Sequence, residues 1–334
     1  MQRESSLGRV LWIAILVILG GYVAADFVRS PFLSPSGSAA VRPAELTLWV
    51  PATEAGREAE VVAREAAAGL VLQGRTVAVK SLPGGSSQAV SEFLSRPQGE
   101  RGSGLLLVTT TTLADLAHDR RDHLVPGASE EAVAALDLLR RAAPLGVLAS
   151  EPLALAVSRG SQFGGTAELL RSMRRAPWKP LFGISDDTWS RVQLAALVQR
   201  AEVNGHIRFG VFHSGAEAAQ AVETSGANTA LATRGSLQED VRSGGLRELP
   251  WPFDGQAPRA WMALVASPGA GAPEVARLRG WVGELTRAPR WRQLQREAGR
   301  QSGDPSATRL RRLLRSAAAQ ANRLEAIAQR VEQR

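Results

Sequence analysis

The chain has 334 residues, of which 44% are apolar and 22% charged, proportions of a folded protein with a sizeable core rather than of a disordered segment. Forty Lys plus Arg against thirty-two Asp plus Glu leave a formal charge of +8. There is no cysteine, which excludes disulfide scaffolds, thiolate zinc sites, iron–sulfur clusters and cysteine nucleophiles.

Residues 1–25 read as an export segment. Arg3 and Arg9 precede an uncharged apolar run from Val10 to Ala25, and Ala24–Ala25 suit cleavage before Asp26. The run is short for a membrane span, which needs about 20 residues. Phe27 and Val28 extend it, so an uncleaved anchor over residues 10–28 is the alternative, with membrane contact there. No Cys follows to carry a lipid. Both routes place the body outside the cytoplasmic membrane, periplasmic or tethered to it. Residues 26–44, rich in Pro, Ser and Gly, read as a linker.

From Glu45 onward, strands and helices alternate. Leu46–Val50 is a β-prone run, and Glu58–Leu72 a helix with Val61, Val62, Ala66 and Leu70 on one face. Thr76–Val79 is the next strand. Pro83-Gly84-Gly85 forms a turn, and Ser86 or Ser87 caps a helix that turns Val90, Phe93 and Leu94 inward. Leu105–Val108 reads as a strand buried on both faces, ending in Thr109–Thr112. This order implies a parallel sheet with right-handed crossovers.

Leu145–Val157 reads as two strand segments around Glu151-Pro152. Thr166–Arg175 is a short helix and Pro180–Ile184 a strand. Asp186, Asp187 or Thr188 caps the helix Trp189–Arg200. Arg208–Phe212 is a strand, Ala216–Glu223 a helix, and Thr229–Ala232 a strand. Arg259–Ala266 returns the chain to the first lobe. Pro273–Gly299 is a long amphipathic helical region using Val275, Leu278, Trp281, Val282, Leu285, Trp291 and Leu294, and Thr308–Val331 a final helix. The last 48 residues hold twelve Arg and four acids, the whole charge excess, and read as a solvated helix face. Arg outnumbers Lys 38 to 2 throughout, a compositional habit, and no nucleic-acid partner is expected.

Two α/β lobes joined by two crossings describe a hinged clamshell: lobe 1 from 45–145 plus 266–334, and lobe 2 from 146–265. A ligand in such a fold sits at the carboxyl ends of the strands, where helix N-termini converge. Catalytic signatures are missing. His118 and His123, five apart, do not form an HExxH pair and read as surface histidines. No GxSxG elbow, P-loop, GxGxxG or EF-hand loop is present. Asp186-Asp187 reads as a cap with a favourable dipole contact. No catalytic residue, metal or cofactor is expected.

The motifs resemble the substrate-binding receptors of tripartite tricarboxylate transporters, the Bug-type family, over roughly Glu45 to the C-terminus. Val147–Val157 (VLASEPLALAV) is the most specific match. Val50-Pro51, Pro83–Ser87, Leu105–Thr112, Val211–Gly215 and Met262–Pro273 are similar to further family segments. The resemblance implies a type II periplasmic-binding-protein-like clamshell, each lobe a mainly parallel sheet flanked by helices. It also implies a non-enzymatic receptor that takes a small solute, by family a carboxylate, to membrane transporter subunits. Expected ligand contacts are Thr53, Gly84, Gly85, Ser86, Thr110, Thr111, Ser185, Thr188, His213 and Arg234. Departures cluster at this rim, where Glu54, Asp186 and Asp187 add negative charge that Arg57 or Arg234 would have to balance. The alternative is a membrane-anchored clamshell acting as a sensor or interaction protein without transport.

Overall fold

The computed structural model describes residues 46–51, 56–71, 77–95, 104–119, 128–203, 205–304 and 306–315. The export segment, the linker, Thr53, Glu54 and His123 lie outside them.

The first lobe starts with three short apolar strands, β1 (Leu46–Pro51), β2 (Val77–Leu82) and β3 (Gly104–Thr109). Strand β1 pairs in parallel with both of the others. Between them run helices α1 (Gly56–Val71) and α2 (Ser86–Ser95). Helix α1 buries Val62, Ala63, Ala66 and Ala67, while Val61 is half exposed, so the buried stripe is rotated from the expected face. Gly69 lets α1 lie close on the later helix that carries Leu285: a Cβ there would come within 2.4 Å of the Leu285 side chain.

Two helices then follow where the sequence reading had only the end of a strand and a charged loop. Helix α3 (Thr110–Asp119) begins directly after β3, and α4 (Ala128–Arg141) leads into β4 (Ala143–Ser158). Strand β4 corrects another expectation. It is one continuous strand of 16 residues, with Glu151 and Pro152 in its middle rather than at a break. Pro152 lacks an N–H, and the next amide, that of Leu153, donates to Pro258 O at 2.7 Å.

The second lobe alternates α5 (Thr166–Arg175), β5 (Leu181–Ser185), α6 (Thr188–Arg200), β6 (Arg208–Phe212), α7 (Gly215–Glu223), β7 (Thr229–Thr233), α8 (Arg234–Ser243) and β8 (Leu246–Leu249). Helix α8 and strand β8 were not foreseen. Strand β9 (Arg259–Ala266) crosses back. The expected long helical region is two helices, α9 (Ala272–Arg287) and α10 (Pro289–Glu297), because Pro289 cannot continue α9 and starts the next helix. Leu294 is only half-buried. Strand β10 (Gln301–Ser302) pairs with β4, and residues 307–315 are helical, with Leu310 fully buried.

The strand order is β2-β1-β3-β9-β4-β7-β5-β6, with β10 and β8 also on β4. Strands β5, β6 and β7 are mutually parallel, as are β1, β2 and β3. Among the described strands β4 alone pairs with strands of both halves, and it runs antiparallel to β9 from Ala143↔Ala266 to Pro152↔Arg259. Each half is a sheet between helices. In the first, Trp281, Leu285 and Trp291 pack on one face, and Phe93, Leu113 and Leu139 on the other. In the second, Met173, Phe182 and Leu197 cover one face, and Ala219, Val222 and Leu237 the other.

Candidate functional site

The carboxyl ends of β3, β5, β6 and β7 point at one cavity of about 540 Å³. Each of these strands runs almost directly into a helix, so four helix N-termini surround it: α3, α6, α7 and α8. The floor is the middle of the two crossing strands, with Glu151 from β4 and Ala260, Trp261 and Met262 from β9.

Local sequence explains how each helix start is built. Thr109 caps α3: its Oγ1 accepts from Thr112 N at 3.0 Å, and Thr112 Oγ1 accepts from Thr109 N at 3.3 Å, a reciprocal box made of two threonines. Asp187 caps α6, its Oδ1 accepting from Ser190 N at 2.8 Å, while Ser185 and Ser190 hydroxyls donate to Oδ2. Ser214 caps α7, accepting from Glu217 N at 3.1 Å, and Glu217 Oε2 accepts from His213 N at 3.2 Å. Helix α8 has no cap from its own N-cap residue, Thr233. Instead Glu151, 84 residues earlier in the chain, accepts from Gly235 N at 3.3 Å. Gly235 is needed for that approach, because a Cβ there would lie 2.6 Å from Glu151 Oε2 and 2.7 Å from Ala298 O.

Charge at the cavity is one-sided. Glu151, Asp186, Asp187 and Glu217 line it, and no Lys or Arg is among the described residues that do. Glu151 is only 1% exposed. Three arginines stand just outside the lining residues. Arg191 pairs with Asp186 at 2.9 Å on the outer rim. Arg234 forms a forked pair with Glu248, its Nε lying 3.1 and 3.2 Å from the two carboxylate oxygens. Arg259 donates to Ser150 and Gln301; burial and the neighbouring Arg234 and Arg309 lower its pKa, with Glu151 acting the other way. Burial pushes the pKa of Asp187 up against the hydrogen bonds from Ser185 and Ser190.

Behind the rim, Asp115 on α3 joins three helices. Ser86 Oγ donates to its Oδ2 at 2.7 Å and the Thr188 hydroxyl also bonds to it, so α2 and α3 of one lobe meet α6 of the other at this carboxyl. Burial, with smaller contributions from Asp187 and Asp119, pushes its pKa up to about 6.

The residues expected to contact ligand divide accordingly. Thr110, Thr111, Ser185 and His213 line the cavity. Ser86 and Thr188 are turned onto Asp115, Gly84 (φ +91°) and Gly85 form the exposed turn before α2, and Arg234 is held by Glu248; none of these five lines the cavity. The lining residues that the sequence reading did not single out as contacts include Glu151, Trp189, Glu217 and Trp261. Glu151 had a signal, a lone acid inside an apolar run and within the most specific matched segment. The tryptophans had none, since nothing in their spacing separates them from core residues.

No family model and no curated protein sequence matches the chain. Solved structures do. R. palustris Rpa4515 with adipate is 17% identical, with a TM-score of 0.65 over 86% of this chain and 98% of that one. The periplasmic binding protein BugD is 16% identical, with a TM-score of 0.64 over 86% and 98%. The chain has the fold of the Bug-type periplasmic binding proteins. MatC from Rhodopseudomonas palustris with bound malate shares it, at 16% identity and a TM-score of 0.62 over 84% and 99%. With near-complete coverage of each Bug-type chain, the two-lobed clamshell is the arrangement of the whole body and not of one lobe.

Proposed function

We propose that this protein is an extracytoplasmic receptor that closes on a small polar solute between its two lobes and presents it to a membrane partner. The observation that carries the reading is the cavity itself: about 540 Å³, at the carboxyl ends of four strands drawn from both lobes, and floored by β9 and by β4, which pairs with strands of both. A solute there touches both lobes at once, so binding favours the closed arrangement over the open one. Its volume falls within the range of small-molecule sites. The residues that line it cap helices and offer hydroxyls rather than a nucleophile with a base, and the reading contains no catalytic step.

Export through residues 1–25 and delivery to a transporter of the tripartite tricarboxylate kind complete the proposal, supported by the N-terminal sequence pattern and by the Bug-type fold. The expected result is a ligand-dependent rise in melting temperature of the full chain, across a panel of carboxylates, amines, amino acids and sugars. A compound at one hundred times its dissociation constant stabilises by about 2.7 kcal/mol, a shift of a few degrees for a chain of this size. A panel without a single shift, repeated by calorimetry at millimolar ligand, would sink the receptor reading.

A further inference from the structure

We infer that Asp115 is a proton-controlled latch between the lobes: its neutral carboxyl holds α6 of the second lobe against α2 and α3 of the first, and its charged form lets them part. The inference goes beyond the receptor reading by naming what governs closure.

The support is geometric. The chain passes between the lobes in β4 and β9, and Asp115 lies on neither strand. Its carboxyl instead meets hydroxyls from both sides. Ser86 Oγ, at the start of α2, donates to Oδ2 at 2.7 Å, and the hydroxyl of Thr188, the first residue of α6, bonds to the same group. Helices α3 and α6 pack against each other here. Bending about the crossing strands keeps the Ser86 bond, which lies within the first lobe, and breaks the Thr188 bond. The next turn of α3 supplies an internal comparison. Asp119 accepts from Ser87 Oγ, a pair of the same kind that stays within the first lobe.

The charges around Asp115 set the sign of the switch. Asp187 faces it from α6 and Asp119 from its own helix, and both favour the protonated form. The other elements packed on α3 bring no free charge to it. Helix α2 contributes the Ser86 hydroxyl, and on α6 Arg191 is paired with Asp186. Asp137 and Arg140 of α4 pair with each other on the exposed surface, and Arg259 of β9 donates to Ser150 and Gln301. His118, further along α3, is exposed. A charged Asp115 held between the lobes therefore loses water and stands near a second carboxylate, whereas a neutral one keeps both hydroxyls and meets no repulsion. Opening returns the charge to water. The carboxyl is ordinary at 3.8 in water and about 6 with both bonds made, so acid favours closure. The closed-to-open ratio should fall by up to about 30-fold from pH 4.5 to pH 7.5.

The chain has no native cysteine, so two introduced ones place spin labels unambiguously: Asp137→Cys on exposed α4 and Arg171→Cys on exposed α5 of the second lobe. Pulsed double electron–electron resonance on the full chain without ligand, at pH 4.5 and pH 7.5, reads the separation of the lobes. The shorter distance should dominate at pH 4.5 and the longer one should gain weight at pH 7.5. Asp115→Asn should hold the shorter distance at both pH values, and Thr188→Val should move weight to the longer one at pH 4.5. Asp119→Asn should keep the response of the parent. If Asp115→Asn fails to fold, Thr188→Val carries the test. A distance distribution that does not change with pH would overturn the latch, as would a pH response that survives Asp115→Asn or a Thr188→Val distribution identical to the parent. Closure driven by pH in a chain that binds no solute would remove the receptor reading and leave the latch standing.

Discussion

The two walls of the cavity solve the same local problem with different chemistry. On one side β3 turns into α3 through Thr109, Thr110 and Thr111, and the helix start is satisfied by hydroxyls alone. On the other side β5 and β6 turn into α6 and α7 through Asp186, Asp187 and Glu217, and carboxylates take part at both helix starts. Serine caps a helix about as well as aspartate, and threonine somewhat less well. Capping alone therefore does not call for an acid at the α6 start, and the carboxylate there also brings charge to the cavity. One wall is a neutral hydrogen-bonding surface, while the other brings carboxylates to the cavity.

The largest expected effects test whether these walls belong to one cooperative body. Phe93 behind the hydroxyl wall and Phe182 behind the acidic wall are both fully buried, in separate clusters. Truncating either to Ala should cost about 3–5 kcal/mol. Strand β4 contributes Val147 to the first cluster and Leu153, Leu155 and Val157 to the second, so the halves should unfold together. In urea titrations Phe93→Ala and Phe182→Ala should each shift a single transition. Two transitions, of which each variant moves only one, would show that the walls are separately stable bodies joined by the crossing strands.

A smaller effect concerns the carboxyl that ties the walls together. Asp115 is ordinary at 3.8 when exposed and about 6 in the folded protein. The folded state thus holds this proton more tightly than the unfolded one. Below 3.8 both states are protonated and the group costs nothing. As pH rises from about 4 to about 6 the unfolded state releases its proton first, and stability falls. The cost is fully present above 6, at roughly 3 kcal/mol. Asp115→Asn keeps an acceptor for Ser86 and Thr188 and has no charge to bury. Relative to the parent, the variant should gain roughly 3 kcal/mol between pH 4 and pH 7.5 in urea titrations. Parallel stability curves for the two proteins would show that Asp115 is solvated in the folded state.

How much of this was legible in the sequence differs between the walls and the elements behind them. Strands such as Arg208–Phe212 and Arg259–Ala266 and the helix Thr166–Arg175 were bounded correctly, because short β-branched or apolar runs end at clear turn signals. Helix α3 was missed because it opens with three threonines, poor interior helix formers that read as the end of a strand, and only the Thr109–Thr112 box shows why the helix starts there. Strand β4 looked broken at Glu151-Pro152 because a buried acid and a proline argue against a central strand. The acid is kept by the α8 start, and the next amide by Pro258, partners that no local pattern reveals. The same holds for the site: the hydroxyls were visible as residues near helix starts, whereas the removal of Ser86, Thr188 and Arg234 from the cavity depends on Asp115 and Glu248.

The smallest effect sharpens the comparison most directly, because it rewrites one wall in the chemistry of the other. Thr109→Ala removes the cap of α3 and should cost about 1 kcal/mol. Thr109→Asp keeps an oxygen for Thr112 N and adds favourable charge at the helix start, so its stability should stay within about 0.5 kcal/mol of the parent. With the cap preserved, any change in ligand affinity reports the field in the cavity rather than the integrity of the helix. If charge on the walls sets affinity, a carboxylate added to the neutral wall should shift the affinity of a charged ligand about 3-fold to 10-fold at low salt, tightening a cation and weakening an anion, with the effect shrinking as ionic strength rises. Equal weakening of ligand binding by Thr109→Ala and Thr109→Asp would instead show that the threonine hydroxyl itself touches the ligand, and that the two walls contribute by contact rather than by charge.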